Sequence, residues 1–323
     1  MTAEDRIHGE FEVPAGLSDR RLDQAAAELM PEHSRSRIQN WIKQGNLTVN
    51  GEQRKPRDKV MLGDRIAVDA EPEVQIEWTA EPISLDIVYE DDHIMVINKP
   101  AGLVVHPAAG HAAGTLVNAM LHHAPEVENL PRGGIVHRLD KDTTGLMVVA
   151  RSLIAHTSLV DQLQTRTMGR EYDAVIQGTI TGGGVVDEKI GRHPNQRKKM
   201  AVTSDGKPAV THYRLVERFP AHTHVRCTLE SGRTHQIRVH MTHIRHALVG
   251  DPVYGGRMRL PPGCTPELKE ELRQFHRQAL HARRLTLTHP ATGEEMSWEA
   301  PMPEDLQHLI LALRHHAQEM DAQ

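Results

Sequence analysis

The chain has 323 residues, 38% apolar and 25% charged, enough for about two ordinary domains with real cores and wrong for a largely disordered protein. A formal net charge of −5 argues against a uniformly basic nucleic-acid binder, though not against one whose cations are gathered locally. The two cysteines, Cys227 and Cys264, lie far apart and outside any CxxC spacing, which argues against a disulfide framework or a thiolate metal site and suits a reducing compartment.

The opening residues, MTAEDRIHGEFEVPAG, are acidic and lack an apolar run, so neither a secretory signal nor a transit peptide is expected. No stretch approaches the roughly 18 apolar residues of a membrane span, and a soluble, cytoplasmic protein is expected. Ser18 and Asp19 can cap a helix whose apolar positions Leu22, Ala25, Ala26 and Leu29 recur at helical spacing. A second helix is expected after Ser34, with Ile38, Trp41 and Ile42 facing inward and Gly45 ending it. Asn50-Gly51 then lies between the β-prone runs LTVNGEQ and DRIAVDA, a strong hairpin signal. Residues 31–60 carry seven Lys/Arg against three acids, whereas residues 71–92 carry eight acids and no Lys or Arg. This predicts a basic module of two helices and a small hairpin sheet over residues 18–75, a linker within 71–82, and a larger domain over 76–323.

From Ile83 onward β-rich runs outnumber helices. LDIVYEDDHIMVINKPAG reads as two strands around an acidic turn; GTLVNAMLHH and SLIAHTSLVDQLQ read as helices; GIVHRL, GLMVVA, REYDAVIQG, THYRLVERF and HVRCTLES read as strands. Strands that follow one another without regular helices predict an α+β fold on a mixed, mostly antiparallel sheet. PEDLQHLILALRHH reads as a closing amphipathic helix. The glycines of TGGGV, Thr181–Val185, lack the strand–turn–helix context of a dinucleotide fingerprint and read as a loop, and no cofactor motif occurs elsewhere. His235, His240, His243 and His246 show an HxxH spacing but no carboxylate at ligand distance. On a helix beginning near Thr234, Ile237, Met241 and Ile244 form the apolar stripe, so surface or RNA-contacting histidines are expected and no metal. HRLDKDTTGL, His137–Leu146, crowds polar residues between two apolar segments and reads as an exposed turn in which either Asp140 or Asp142 could carry chemistry.

Several segments carry a resemblance. RLDQAAAELMPEHSRSRIQNWIKQGNLTVNG resembles the RNA-binding module named after ribosomal small-subunit protein S-four. INKPAGLVVHP, GIVHRLDKDTTGLMVVA, REYDAV, GKPAVTHYRLVERF and LESGRTHQIRVHMTHIRHALVGDPVYGG resemble, in order and at family spacing, RNA pseudouridine synthases of the RluA type. The resemblance implies a cofactor-independent isomerase that turns uridine in RNA into its C-glycoside. It points to uridines in a stem-loop of 23S ribosomal RNA at the subunit interface, with the rRNA or a large-subunit particle as partner. It also implies that Asp140, the aspartate of HRLD, is the essential residue, with Tyr172 and Arg233 beside it.

These assignments make chemical sense. A carboxylate can serve as nucleophile or base without metal help, an arginine can grip it through two hydrogen bonds, and a tyrosine can stack on uracil and exchange a proton near C5. The uridine must be flipped out at a cost of about a few kcal/mol, which phosphate contacts can offset. Arg138 and the loop cations Arg192, Arg197, Lys198 and Lys199 are expected to supply such contacts in the large domain, as are Arg35, Arg37 and Lys43 in the small one. The rival readings are a sister synthase acting on tRNA or another rRNA site, a non-catalytic ribosome-assembly protein, and a His/Asp hydrolase.

Overall fold

The computed structural model describes residues 7–31, 33, 35–70, 78–107, 113–196, 199–258 and 260–322. It divides into two compact units, Met1–Glu77 and Trp78–Gln323. Most of the expected linker, residues 71–77, lies outside the described residues.

The first unit contains β1 (Ile7–Glu12), α1 (Leu22–Leu29), α2 (Arg35–Gln44), β2 (Leu47–Val49) and β3 (Arg65–Ala70), its antiparallel sheet running β1-β3-β2. Leu22, Ala25 and Ala26 of α1 and Ile38, Trp41 and Ile42 of α2 share one core with Leu47, Val49, Ile66 and Val68 of the sheet. Asn50 and Gly51 adopt φ values of 54° and 79° and close the tight turn between Val49 and Glu52. The expected cap of α1 is not formed. Its N-cap is Arg21, because Asp19 pairs with Lys59 at 2.7 Å and the Ser18 hydroxyl accepts the Leu62 N–H at 3.1 Å. Ser34, the expected start of α2, lies outside the described residues.

The second unit begins with β4 (Ile87–Glu90), β5 (Ile94–Lys99), α3 (Leu116–His123), β6 (Thr144–Ala150), α4 (Leu153–Gln164), β7 (Gly169–Gln177), β8 (Gly184–Asp187), β9 (Ile190–Arg192) and β10 (Met200–Val202). It continues with β11 (Val210–Arg218), β12 (His222–Leu229), α5 (Gln236–His243), α6 (Pro266–Gln274), β13 (Leu280–Thr288), β14 (Glu295–Glu299) and α7 (Glu304–Asp321). The main sheet runs β4-β5-β6-β13-β7-β12-β11-β8, with β14 also on β13, while β9 and β10 form a separate hairpin. Of the described strand pairs only β6 and β13 run in parallel, so the sheet is mixed and mostly antiparallel, as its strand-rich sequence predicts.

Every residue of β6 is buried. Met147 and Val149 face a core shared with α3 and α5, and Leu146 and Val148 face the one under α4, as the two-residue period of a strand dictates. Gly145 is required where β6 meets β13: its φ is 111°, and a Cβ there would lie 2.2 Å from the Ala282 carbonyl oxygen. In α7 Leu306, Leu309 and Leu313 recur at helical spacing and are buried with Leu268 and Leu272 of α6. No helix among the described residues is long and apolar enough to cross a membrane.

Two strand assignments are corrected. GIVHRL is not a strand: β5 takes one edge of β6, β13 takes Thr144 and Gly145 on the other, and Ile135 keeps a single bridge to Val149. The chain after Ile135 is therefore free to loop. TGGGV is a loop only at its start, since Gly184 and Val185 enter β8 against β11.

His222, at the start of β12, is 2% exposed and its Nδ1 has no hydrogen-bond partner among the described residues. Burial pushes its pKa from 6.5 down to about 4. The unfolded chain therefore binds more protons between those values, so the stability tied to neutral His222 is complete above pH 6.5 and is lost as pH falls toward 4. Between pH 7.5 and 5 the expected loss is about 2 kcal/mol. His222→Leu should flatten that part of the acid limb in urea unfolding; an unchanged fall in midpoint would assign the limb to other groups.

Candidate functional site

A cavity of about 520 Å³ opens in the second unit, bounded by the 136–143 loop, the end of α4, the start of β7, the end of β12 and the start of α5. Asp140, Tyr172, Arg238, His235 and Arg170 all line it. It thus joins residues from three distant stretches of sequence.

The loop that carries Asp140 is pinned by its backbone. Lys99, wholly buried at the end of β5, donates to the carbonyls of Pro100 (2.6 Å), Leu103 (3.0 Å) and Lys141 (2.8 Å). Burial pushes its pKa down to about 8, against the pull of the Asp142 and Asp140 charges. The Arg277 guanidinium donates to the Asp142 carbonyl at 3.3 Å, and the Gln278 amide to the Thr143 hydroxyl at 2.9 Å. Leu139 is buried, so the loop is anchored on both sides of Asp140 rather than being an exposed turn. Asp140 faces the cavity and Asp142 does not line it.

Arg238 holds the Asp140 side chain. Its Nη1 donates to Asp140 Oδ2 at 2.8 Å, while its Nε and Nη2 donate to the two Asp251 oxygens at 2.7 and 2.9 Å. Asp251 also accepts the N–H groups of Val253 (2.9 Å) and Tyr254 (3.0 Å). Burial alone would raise the Asp251 carboxyl and weaken the Arg238 charge, but their mutual bonds outweigh it: the aspartate is held below its usual range and the arginine above.

This corrects the pairing expected of Arg233. Arg233 lines the cavity but is exposed, and its Nε donates to the Pro208 carbonyl at 3.1 Å. It precedes α5 on the 231–235 turn, whereas Arg238 lies inside the helix, between Ile237 and Val239, and points inward with them. A lone arginine among buried helical positions is itself a signal for a paired carboxylate, and that signal singles out Arg238.

Tyr172, on β7, is 5% exposed, and burial raises its phenol pKa although the nearby Arg170 opposes the shift. It enters the site as a protonated phenol. His235 has the left-handed φ of 57°. Its Nδ1 lies 2.8 Å from the Tyr254 hydroxyl, which accepts the Met200 N–H at 2.9 Å. The other ring nitrogen, Nε2, lies 3.8 Å from Asp140 Oδ1. Burial lowers the His235 pKa, so this ring is neutral at physiological pH. His240 also departs from the expected surface role: it is fully buried, bonded to the Thr211 hydroxyl at 2.9 Å and the Glu188 carbonyl at 3.0 Å.

The other cations expected to meet RNA differ in their surroundings. Arg138 is exposed and lines the cavity. Arg192 ends β9 and is exposed, Lys199 is half-buried, and Arg197 and Lys198 lie outside the described residues. In the first unit Lys43 is exposed, Arg37 sits 5.4 Å over the Trp41 ring, and Arg35 is committed to Asp23 at 2.8 Å. Besides Asp140, the cavity wall includes the carboxylate of Glu230, which is engaged by Arg166 at 2.6 Å and His212 at 2.7 Å. Asp140 is therefore the carboxylate placed to meet a molecule in the cavity, beside a flat phenol and under a fixed cation. That arrangement suits attack on, or proton removal from, a planar base and its sugar.

Comparison with known proteins agrees with this geometry. Residues 93–243 match the family described as RNA pseudouridylate synthase, and residues 20–66 match the S4 domain. A ribosomal large subunit pseudouridine synthase D from Pseudomonas aeruginosa is 62% identical over 310 residues, covering 96% of this chain and 97% of the relative. One of the same description from Salmonella typhimurium is 58% identical over 295 residues, covering 91% and 90%. The solved structure of human RNA pseudouridylate synthase domain containing 4 superposes with a TM-score of 0.55 at 26% identity, covering 71% of this chain and 92% of that one.

Proposed function

The chain belongs to the RNA pseudouridylate synthase family, and from that premise we propose that it isomerises specific uridines of 23S ribosomal RNA, in a stem-loop at the subunit interface. The observation that carries this reading is Asp140, held by Arg238 at 2.8 Å in a cavity that Tyr172 also lines. The reaction breaks the N1–C1′ bond, turns the uracil, forms C5–C1′, releases the C5 proton and leaves a proton on N1. Atoms and electrons balance without an oxidant or a second substrate. The base reaches Asp140 only when flipped out of its stack, at a cost of about a few kcal/mol that contacts to phosphate offset. A ribosomal RNA substrate supports a cytoplasmic location.

The test compares pseudouridine maps of rRNA and tRNA from cells with and without the gene, together with tritium release from C5-labelled rRNA by the purified protein. Loss of sites in 23S rRNA and release of tritium are expected. Loss of sites in tRNA alone would move the substrate, and free uracil or cut RNA would replace isomerisation by hydrolysis.

Tyr172→Phe keeps the ring and removes a hydroxyl that has no protein partner among the described residues. Turnover is expected to fall about 10²-fold, the scale of a lost proton transfer, with RNA affinity within about twofold of the parent. Full activity in Tyr172→Ala would remove Tyr172 from the site.

The S4-like unit has its own apolar core, so residues 78–323 are expected to fold without it. If its cations contact phosphates, the truncated protein should bind rRNA more weakly and with a shallower dependence on salt. Equal affinity and equal salt slope would assign the unit another role.

A further inference from the structure

Four Lys or Arg side chains are buried among the described residues: Lys99, Arg170, Arg238 and Arg277. Three are compensated, Lys99 by carbonyls, Arg238 by two carboxylates and Arg277 by Asp305 at 2.6 Å. Arg170 is not. It is 5% exposed, its Nε is buried without a hydrogen-bond partner, and none of its nitrogens meets a protein acceptor among the described residues. A desolvated, uncompensated guanidinium is costly, and such groups persist where a ligand completes them.

The place of Arg170 says what that ligand is. It stands two residues before Tyr172 on β7, hence on the same face of the strand and about 7 Å away along it. Both side chains line the cavity that holds Asp140. Gly232 lets the 231–233 turn approach the guanidinium, since a Cβ there would lie 2.6 Å from Arg170 Nη1. Neither carboxylate of the wall pairs with Arg170: Asp140 Oδ2 bonds Arg238, and Glu230 is held by Arg166 and His212. A uracil carbonyl would offer only a dipole, whereas the phosphodiester of RNA offers full negative charge to a planar fork of donors.

We propose that Arg170 binds a phosphate flanking the flipped uridine, fixing the strand's backbone while the base meets Tyr172 and Asp140. This rests on reading the cavity as the uridine site.

The experiment takes a stem-loop RNA around a uridine that the wild-type enzyme modifies, with a neutral methylphosphonate replacing either of the two flanking phosphates one at a time. Arg170→Met should bind the unmodified RNA at least tenfold more weakly, while its thermal midpoint stays equal or rises because an uncompensated charge has gone. One methylphosphonate should weaken the wild type about tenfold and leave Arg170→Met no weaker than before. Arg170→Lys, which keeps the charge but not the fork, should fall between the two. Wild-type affinity in Arg170→Met would overturn the proposal, as would methylphosphonates that weaken variant and parent alike, or a lowered thermal midpoint that accounts for the binding loss. Absence of any modified uridine with the wild type would count against the reading of the cavity, whereas additive losses in an active enzyme count against Arg170 alone.

Discussion

Asp140→Asn is expected to abolish tritium release from C5-labelled rRNA, by at least about 10³-fold, while RNA affinity stays near that of the parent. The amide keeps the size of the side chain and an oxygen that can accept from Arg238 Nη1, now at 2.8 Å, but it can neither attack carbon nor take a proton. Folding should be spared. Arg238 retains its fork on Asp251, so its own guanidinium stays compensated, and the expected change in stability is no more than about 1 kcal/mol. RNA affinity should persist because contacts to phosphate dominate it. Asp142→Asn is the matched control. Its carboxylate does not line the cavity, its carbonyl still accepts from Arg277 at 3.3 Å, and the pull it exerts on Lys99 is shared with Asp140, so both variants lose one charge beside that lysine. Near-normal release by Asp140→Asn, or a loss confined to Asp142→Asn, would move the chemistry to the other aspartate.

The difference between these two aspartates also shows what a one-dimensional reading can reach. The α+β class, the mixed sheet and the amphipathic α7 follow from local periodicity, and they were legible because burial repeats with a strand's or a helix's own period. GIVHRL fails by the same logic: its composition suits a strand, but the edges of β6 are occupied by β5, by part of β13 and by the single Ile135 bridge. Strand competition is a property of the assembled sheet. Asp140 and Tyr172 were legible because they sit inside dense motifs. Lys99 and Asp251 were not, since each acts through partners far along the chain, Lys99 on the Lys141 carbonyl and Asp251 on Arg238. The choice of Arg233 over Arg238 has the same origin. Both arginines belong to one motif, and only the start of α5 after His235 decides which of them turns inward.

Arg238→Met should be the most damaging single change in the site, removing both activity and stability. Asp251, whose side chain is 0% exposed, would lose two of its four donors and keep only the backbone N–H groups of Val253 and Tyr254. Breaking a buried pair from one side costs about 3 to 5 kcal/mol, because the remaining charge stays desolvated. Asp140 would at the same time lose the bond that aims it, so turnover should fall with the stability rather than after it. Two further variants separate these effects. Arg238→Lys keeps a cation but has no fork to reach both carboxylates, and is expected to fold better than Arg238→Met while losing about 10²-fold in turnover. The double variant Arg238→Met/Asp251→Leu removes the orphaned carboxylate as well, so urea unfolding should show much of the stability restored with tritium release still absent. Recovery of activity together with stability in the double variant would make Arg238 a purely structural residue. Wild-type stability in the single Met variant would show that Asp251 finds other compensation. The expected pattern, stability regained and turnover not, assigns Arg238 two separable tasks on two different aspartates: neutralising Asp251 inside the fold and aiming Asp140 into the cavity.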